Sequence, residues 1–376
     1  MGVEILWMMP IHPIGIKNRK GELGSYYSIR DFRDVNPEFG TKTDFKQLVE
    51  AVHNLGMKII LDWVANHAAW DNVWTVTNPE FFVRDEAGDF KPPYDWDDVI
   101  QIDHTCDAEQ LAMQDAMKYW VTDFDIDGFR ADLAHLTPLP FWLQARKTLD
   151  AVKPGLIWLA ETEDIPYLRA FDIVFAWKWM HATEDYFKHN HSVSTLVKLL
   201  LSQQEDLPAN AMEMFFTSNH DENSWNGTEY EKYGRYAKAL AVFNYTWPNA
   251  IPLIYSGQEL PNKKRLKFFD KDVIEWKGEM ELHSFYKTLA LFHRNLFEGG
   301  EIAFLSTETN VLAFARTKQE SSILVFLNLH QKAVSAAFNV AGNTGVYIDI
   351  FSGERVSLVQ DIVIDLEPGG YLVLHR

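Results

Sequence analysis

Asp125-Ile126-Asp127-Gly128-Phe129-Arg130-Ala131-Asp132-Leu133-Ala134-His135 has the pattern of a short strand, apolar at alternate positions, that ends in an arginine and an aspartate two residues apart. Residues i and i+2 share one face of a strand, so Arg130 and Asp132 stand side by side. A guanidinium that close keeps a carboxylate ionised, which suits a nucleophile or a group that stabilises positive charge. A structural ion pair at a strand end would look the same over this one stretch. Partners at other strand ends separate the two readings.

On either side, apolar strand-like runs alternate with helix-period segments. Glu4–Pro10, Met57–Val64, Leu156–Ala160, Ile173–Trp177, Met212–Ser218 and Ile251–Tyr255 read as strands. Thr43–Leu55 reads as a helix with Thr43 at its N-cap, burying Phe45, Leu48, Val49, Val52 and Leu55 and stopping at Gly56. Further helices are expected at Ala108–Phe124, Pro140–Val152 and Leu282–Phe297. With the opening stretch this makes seven strands in the alternation of a TIM-type parallel (β/α) barrel, which carries eight. The missing strand is the first: Met1–Trp7 is already strand-like, and we expect natural residues upstream of it. Beyond about Gly300 the period shortens to β-rich runs, Val311–Arg316, Ile323–Leu329, Ala333–Val340, Val346–Ile350 and Tyr371–His375, as in a small antiparallel sandwich. The expected organisation is a barrel over 1–67 and 106–299, an inserted subdomain over 68–105 and a C-terminal β-sandwich over 300–376.

Composition narrows the chemistry. With 47% hydrophobic residues, including 25 Phe, 13 Trp and 14 Tyr, the 376-residue chain buries a large core. A formal charge of −18 repels phosphates, which argues against nucleic acid and anionic membranes as partners. The single cysteine, Cys106, rules out an internal disulfide and a thiolate zinc cluster. No apolar run reaches membrane-spanning length and no signal peptide is read at the start, while an extracytoplasmic or secreted location is the expectation.

The strand ends repeat the chemistry of the opening stretch. Met57–Val64 runs into Asp62-Trp63-Val64-Ala65-Asn66-His67, Leu156–Ala160 into Glu161, and Met212–Ser218 into Asn219-His220-Asp221. In a parallel barrel the C-terminal ends of the strands converge on one mouth, so Asp132, Glu161, Asp221, Arg130, His67 and His220 are expected to face one another. A lone histidine or glutamate at a strand end is usually structural. Three carboxylates, two histidines and an arginine at matching ends of four strands are not explained that way.

Asp62–His67, Gly128–Asp132, Glu161 and Asn219–Asp221 together resemble the four ordered motifs of the α-amylase family of retaining α-glucan hydrolases and transferases. The segment holding Tyr27, with Asn36-Pro37-Glu38-Phe39-Gly40-Thr41 after it, is similar to that family's sugar-stacking tyrosine region, and Ile251–Glu259 to its eighth strand. The resemblance implies Asp132 as nucleophile, Glu161 as acid and base, and Asp221 as the third carboxylate, with Tyr27, Asp62, His67, Arg130, His135 and His220 binding substrate. Retention of configuration requires the first two carboxyl groups about 5–5.5 Å apart. Glu163, two residues beyond Glu161, is the alternative acid. The implied activity is hydrolysis of α-1,4-glucosidic bonds in starch by an endo-acting α-amylase. A maltodextrin-specific hydrolase or transglycosylase, or a catalytically impaired glucan-binding protein, are the alternatives.

Departures from the family pattern matter too. The family often carries Lys and then His three and four residues after the nucleophile, where this chain has His135 and Leu136. Asn66 matches a calcium ligand of many members, but Ile100-Gln101-Ile102-Asp103-His104 does not follow the usual pattern, and one oxygen is far from the six to eight that calcium takes. A structural calcium is thus an expectation of the resemblance alone, and the chemistry requires no cofactor. Trp70, Trp74, Trp96 and Trp225 are candidate platforms for glucose rings, core packing being the commoner role of any one tryptophan. A barrel short of one strand exposes two apolar edges, Glu4–Pro10 and Ile251–Tyr255, and the expected remedies are direct pairing of the two or a homodimer that covers them.

Overall fold

The computed structural model describes residues 1–208, 211–306 and 310–376, in two compact units. The first holds Val3–Phe175 and Lys267–Asp272. Its elements are β1 (Ile5–Met8), α1 (Lys42–Asn54), β2 (Lys58–Trp63), β3 (His67–Ala69), α2 (Trp74–Thr77), β4 (Val99–Gln101), α3 (Asp107–Phe124), β5 (Gly128–Ala131), α4 (Leu139–Asp150), β6 (Ile157–Ala160) and β7 (Ile173–Phe175). β1, β2, β5, β6 and β7 pair in that order, all parallel. The β3–β4 pair is antiparallel and belongs to the insert.

Helix α1 begins at a reciprocal cap, the Thr41 side chain accepting from Asp44 N–H while the Asp44 carboxylate accepts from Thr41 N–H at 2.7 Å. The N-cap is therefore Thr41 and not Thr43, because only Thr41 has an acid three residues on to close the box. Its buried face is Phe45, Val49 and Val52; Leu48 and Leu55, expected in the core, are 39% and 77% exposed. Leu48 sits to the side of that stripe, and Leu55 is the C-cap, past the last residue the core can cover.

Strand β5 is fastened at its start. The Asp127 carboxylate accepts from Ile59 N–H at 3.0 Å and pairs with His53 at 2.7 Å and Lys58 at 3.0 Å. At Gly128, with φ of +153°, a Cβ would lie 2.0 Å from the Ile157 carbonyl oxygen, so only glycine lets β5 approach β6. Trp63, Trp120, Phe129, Trp142 and Trp158 fill the core around these strands.

The second unit holds Met1–Gly2, Ala176–Leu266 and Val273–Arg376. Here α5 (Trp177–His189), α6 (Val193–Asp206), β8 (Met212–Phe215), α7 (Glu229–Tyr233), α8 (Ala237–Thr246), β9 (Ala250–Pro252) and α9 (His283–Arg294) precede β10 (Glu301–Ser306), β11 (Val311–Lys318), β12 (Ser321–Asn328), β13 (Val334–Asn339), β14 (Gly345–Asp349), β15 (Arg355–Leu358), β16 (Asp361–Leu366) and β17 (Tyr371–His375). β8 and β9 are parallel. The last eight strands form an antiparallel sheet in the order β10-β11-β12-β17-β14-β15 and a separate β13–β16 pair. Three of them, β10, β15 and β16, have no counterpart among the runs read from the sequence. β16 alternates Asp361-Ile362-Val363-Ile364-Asp365-Leu366 with every other residue exposed, a half-buried pattern that a search for apolar runs passes over. Trp177, expected to end a strand, instead starts α5.

Candidate active site

β2 and β5 are in register at Asp62 and Arg130, and β5 and β6 at Ala131 and Ala160, so Asp62, Arg130, Asp132 and Glu161 emerge at one end of three adjacent parallel strands. The Arg130 guanidinium, fully buried, lies 2.8 Å from Asp62 Oδ1 and 3.0 Å from Asp132 Oδ1 through Nη1, and 2.8 Å from Glu161 Oε2 through Nη2. The two Nη1 contacts are aligned hydrogen bonds, whereas Nη2 meets Glu161 as an ion pair without that alignment. Burial opposes the charge on Arg130, but the carboxylates of Asp62, Glu161 and Asp132 outweigh it and hold the guanidinium well above its ordinary pKa.

Asp62 is the hub beneath. Its Oδ2 accepts from Trp7 Nε1 and from the Tyr27 hydroxyl, each at 3.1 Å, while its Oδ1 takes Arg130. With no exposed surface, it positions the arginine and the tyrosine. The Tyr27 ring lies parallel to Phe268, centroids 6.3 Å apart and planes at 11°. Phe268 comes from the 267–272 segment, which Leu23 and Gly24 N–H hold through the Phe269 carbonyl.

Asp132 is followed by a turn of unusual backbone. Leu133 adopts φ 39°, ψ 51°, left-handed space that a branched residue seldom enters, and its N–H donates to Glu161 Oε2 at 2.8 Å. Asp132 N–H donates to the Trp63 carbonyl at 2.9 Å and Glu161 N–H to the Ala131 carbonyl at 3.0 Å, so both acids are also held by their own backbones. β6 ends at Ala160 and the chain then turns, Thr162 N–H reaching the Ala160 carbonyl. Glu163 therefore does not continue the strand face that carries Glu161, as an extended strand would have required.

His67 starts β3 and pairs with Gln101 of β4. It is 4% exposed, and burial pushes its pKa down to about 4 against the hydrogen bond to the Tyr27 backbone, so it is neutral at pH 7. Its Nδ1 lies 2.6 Å from Asn66 Oδ1. His135 stands apart: its side chain is exposed in a 3-10 turn, and its carbonyl accepts from the Tyr167 hydroxyl.

In the second unit, β8 leads to Asn219-His220-Asp221. Asn219 Oδ1 accepts from the N–H groups of Asp221 and Glu222, which starts the turn carrying Asp221, and His220 Nε2 sits 3.1 Å from Asp221 Oδ2. Lys232, between Glu222 at 2.6 Å and Glu184 at 2.8 Å, braces that turn. Thr217, Glu229 and Gln258 form a closed network beneath it.

A family model described as the α-amylase catalytic domain matches residues 1–101, and one described as the maltogenic amylase C-terminal domain matches residues 302–373. The crystal structure of a noncanonic maltogenic α-amylase, AmyB, from Thermotoga neapolitana superposes on all of this chain and 90% of its own, with a TM-score of 0.91 and 33% identity. The chain belongs to the α-amylase family. An α-amylase from Lactobacillus plantarum is similar at TM-score 0.89 and 29% identity, over 99% of this chain and 91% of that one. The α-amylase 2 of Dictyoglomus thermophilum is 26% identical over 94% of this chain and 65% of its own length, and a cyclomaltodextrinase of Geobacillus thermopakistaniensis 24% over 92% and 64%. The chain thus spans about two thirds of the length of these curated relatives. The TIM-type barrel with C-terminal antiparallel sheets expected from the sequence is the fold class of this α-amylase family.

Asn66 is the position that resembles a calcium ligand of the α-amylase family. The Asn66 amide oxygen is engaged by His67, Asp103 Oδ1 by Thr105, and among the described residues no group of three His, Cys, Asp or Glu could hold a metal. Two aromatic residues that matter to the site went unread in the sequence. Trp7 was legible in principle, as an indole on a continuously apolar strand; Phe268, in a loop without secondary structure, carried no signal.

Proposed function

We propose that this protein is a retaining hydrolase of α-1,4-glucosidic bonds in starch, acting as an endo-acting α-amylase. The observation that carries the reading is the single buried guanidinium of Arg130 between Asp132 and Glu161. Two carboxylates held on neighbouring nitrogens of one guanidinium share one small space, as a nucleophile and an acid on the same glycosidic bond must, and the retaining reading requires them about 5–5.5 Å apart. In this reading Asp132 attacks the anomeric carbon and forms the glycosyl-enzyme, while protonated Glu161 gives its proton to the leaving oxygen. Glu161, then a carboxylate, takes a proton from the water that releases the sugar. Arg130 stabilises Asp132 as a carboxylate, and Leu133 N–H fixes Glu161 beside it. The family resemblance assigns Asp221, His220 and His67 to hydroxyls of the bound sugar and Tyr27 to stacking on a sugar ring; a neutral His67 whose Nδ1–H faces Asn66 Oδ1 has only an acceptor, Nε2, left for such a hydroxyl. His135, whose side chain is exposed, is the remaining substrate-binding residue of this reading.

A second reading, a maltodextrin-specific hydrolase, is favoured by the match of residues 302–373 to the maltogenic amylase C-terminal domain and by the cyclomaltodextrinases among the relatives. Reducing-sugar release from soluble starch tests the activity. Early products of mixed length support the endo-acting α-amylase, whereas maltose as the dominant early product from cyclomaltodextrin, with little action on starch, supports the second reading.

A further inference from the structure

In the insert, Pro92-Pro93-Tyr94-Asp95-Trp96 forms a tight turn closed by Trp96 N–H to the Pro93 carbonyl at 3.1 Å. Tyr94 adopts φ 53° and leaves 72% of its surface exposed. A bulky residue in left-handed space is strained, and a large exposed ring gains nothing from burial, so the fold obtains no stability from either property. Such strain gathers at ligand-binding positions.

The turn is nevertheless held firmly. Lys20 Nζ lies 2.7 Å from Asp97 and 3.1 Å from Asp98, Trp70 Nε1 donates to the Asp97 carbonyl at 2.9 Å, and the Ser28 hydroxyl donates to the Asp98 carbonyl at 3.3 Å. Two prolines before it limit its freedom further. The ring of Trp96 then stands 5.7 Å from that of His67, edge to face, and the Tyr94 ring 5.3 Å from Trp96. A track of three rings leads from a buried histidine to solvent on a preorganised support, whereas Trp74 is spent on core packing against Phe32.

We propose that Trp96 and Tyr94 form an outer α-glucan subsite, Tyr94 taking a glucose ring that a short oligosaccharide does not reach. The proposal rests on the reading of the chain as an α-glucan hydrolase. The apolar face of a pyranose stacks on an aromatic ring while its rim hydroxyls stay in water, which is the role an exposed, rigidly held tyrosine fits. Continuity with His67 makes the occupant the same glucan chain and not a separate ligand.

The test uses the full chain slowed by Asp132→Asn, with maltoheptaose and maltotriose titrated calorimetrically. Tyr94→Asn removes the ring but tolerates positive φ, so its melting temperature should equal or exceed that of the parent. Its Kd for maltoheptaose should rise about three- to tenfold, the size of one aromatic contact, with the maltotriose Kd unmoved. Tyr94→Phe should restore the parent affinity, and Trp96→Ala should weaken maltoheptaose at least as much as Tyr94→Asn. An unchanged maltoheptaose Kd, equal weakening on both sugars, or no measurable maltoheptaose binding by the parent would overturn the subsite. Starch hydrolysis by the unsubstituted chain is scored separately: its absence, with the chain-length difference in binding intact, sinks the catalytic reading and leaves the subsite standing.

Discussion

The N–H of Leu133 donates to Glu161 Oε2 at 2.8 Å from a residue in the left-handed conformation. The residue next to Asp132 thus orients Glu161, and it does so by a backbone geometry that glycine would adopt without strain. Leu133→Gly should keep starch hydrolysis within a few-fold and change stability by no more than about 1 kcal/mol, the relieved strain offsetting lost leucine contacts. Leu133→Val, β-branched at positive φ, should cost about 1–3 kcal/mol in urea unfolding. Equal stability of the valine and glycine variants would show that the turn is not strained.

Asp132→Asn keeps volume and removes the attacking oxygen's charge. We predict a fall in starch hydrolysis on the order of 10³-fold or more with an unchanged melting transition. Activity within tenfold of the parent contradicts the assignment. Proton NMR of the first products should show the α-anomer, and initial β-anomer would mean an inverting geometry.

Glu161 and Glu163 separate by leaving group. Glu161→Gln should cripple cleavage of starch far more than that of α-glucosyl fluoride, whose leaving group needs little protonation. Glu163→Gln, off the strand face, should leave both nearly unchanged. The opposite ranking moves the acid to Glu163.

Buried histidines set a pH dependence of stability. His12, whose Nδ1 faces the Asp34 carbonyl at 3.2 Å while its ring packs against Trp63 and Trp120, is pushed down by burial to about 4. A base whose folded pKa lies below its unfolded value of 6.5 carries no penalty above that pH. As pH falls from 6.5 towards 4 the unfolded chain takes up a proton that the folded chain refuses, and stability drops by about 3 kcal/mol for this residue. His12→Asn should be less stable than the parent at pH 7, with the gap narrowing steadily to pH 4.5 in urea melts. A pH-independent gap would show that His12 protonates in the folded state.

Oligomeric state is testable by light scattering. β1 carries the apolar Ile5, Leu6 and Trp7 and pairs with β2 alone within its unit, and apolar strand edges invite association. We expect a mass near twice 43.5 kDa. A monomer at micromolar concentration rejects the homodimer.

The sequence by itself determined the period of each barrel element, the strand ends at which the acids cluster and the family motifs that name them, because alternation and helical spacing are local properties of side-chain order. It placed Asp132 beside Arg130 from their spacing alone, and the pair is 3.0 Å apart. It did not contain the sharing of Arg130 among three carboxylates, since that follows from the register of β2, β5 and β6 over residues far apart in the chain. Nor could it show that Leu48 and Leu55 face solvent, that His135 lies outside the buried cluster, or that Asn66 spends its oxygen on His67. Those outcomes depend on which neighbours packing delivers to each side chain. The left-handed turn at Leu133 and the exposed, strained Tyr94 run against residue preference, and only tertiary contacts that over-determine the backbone decide them.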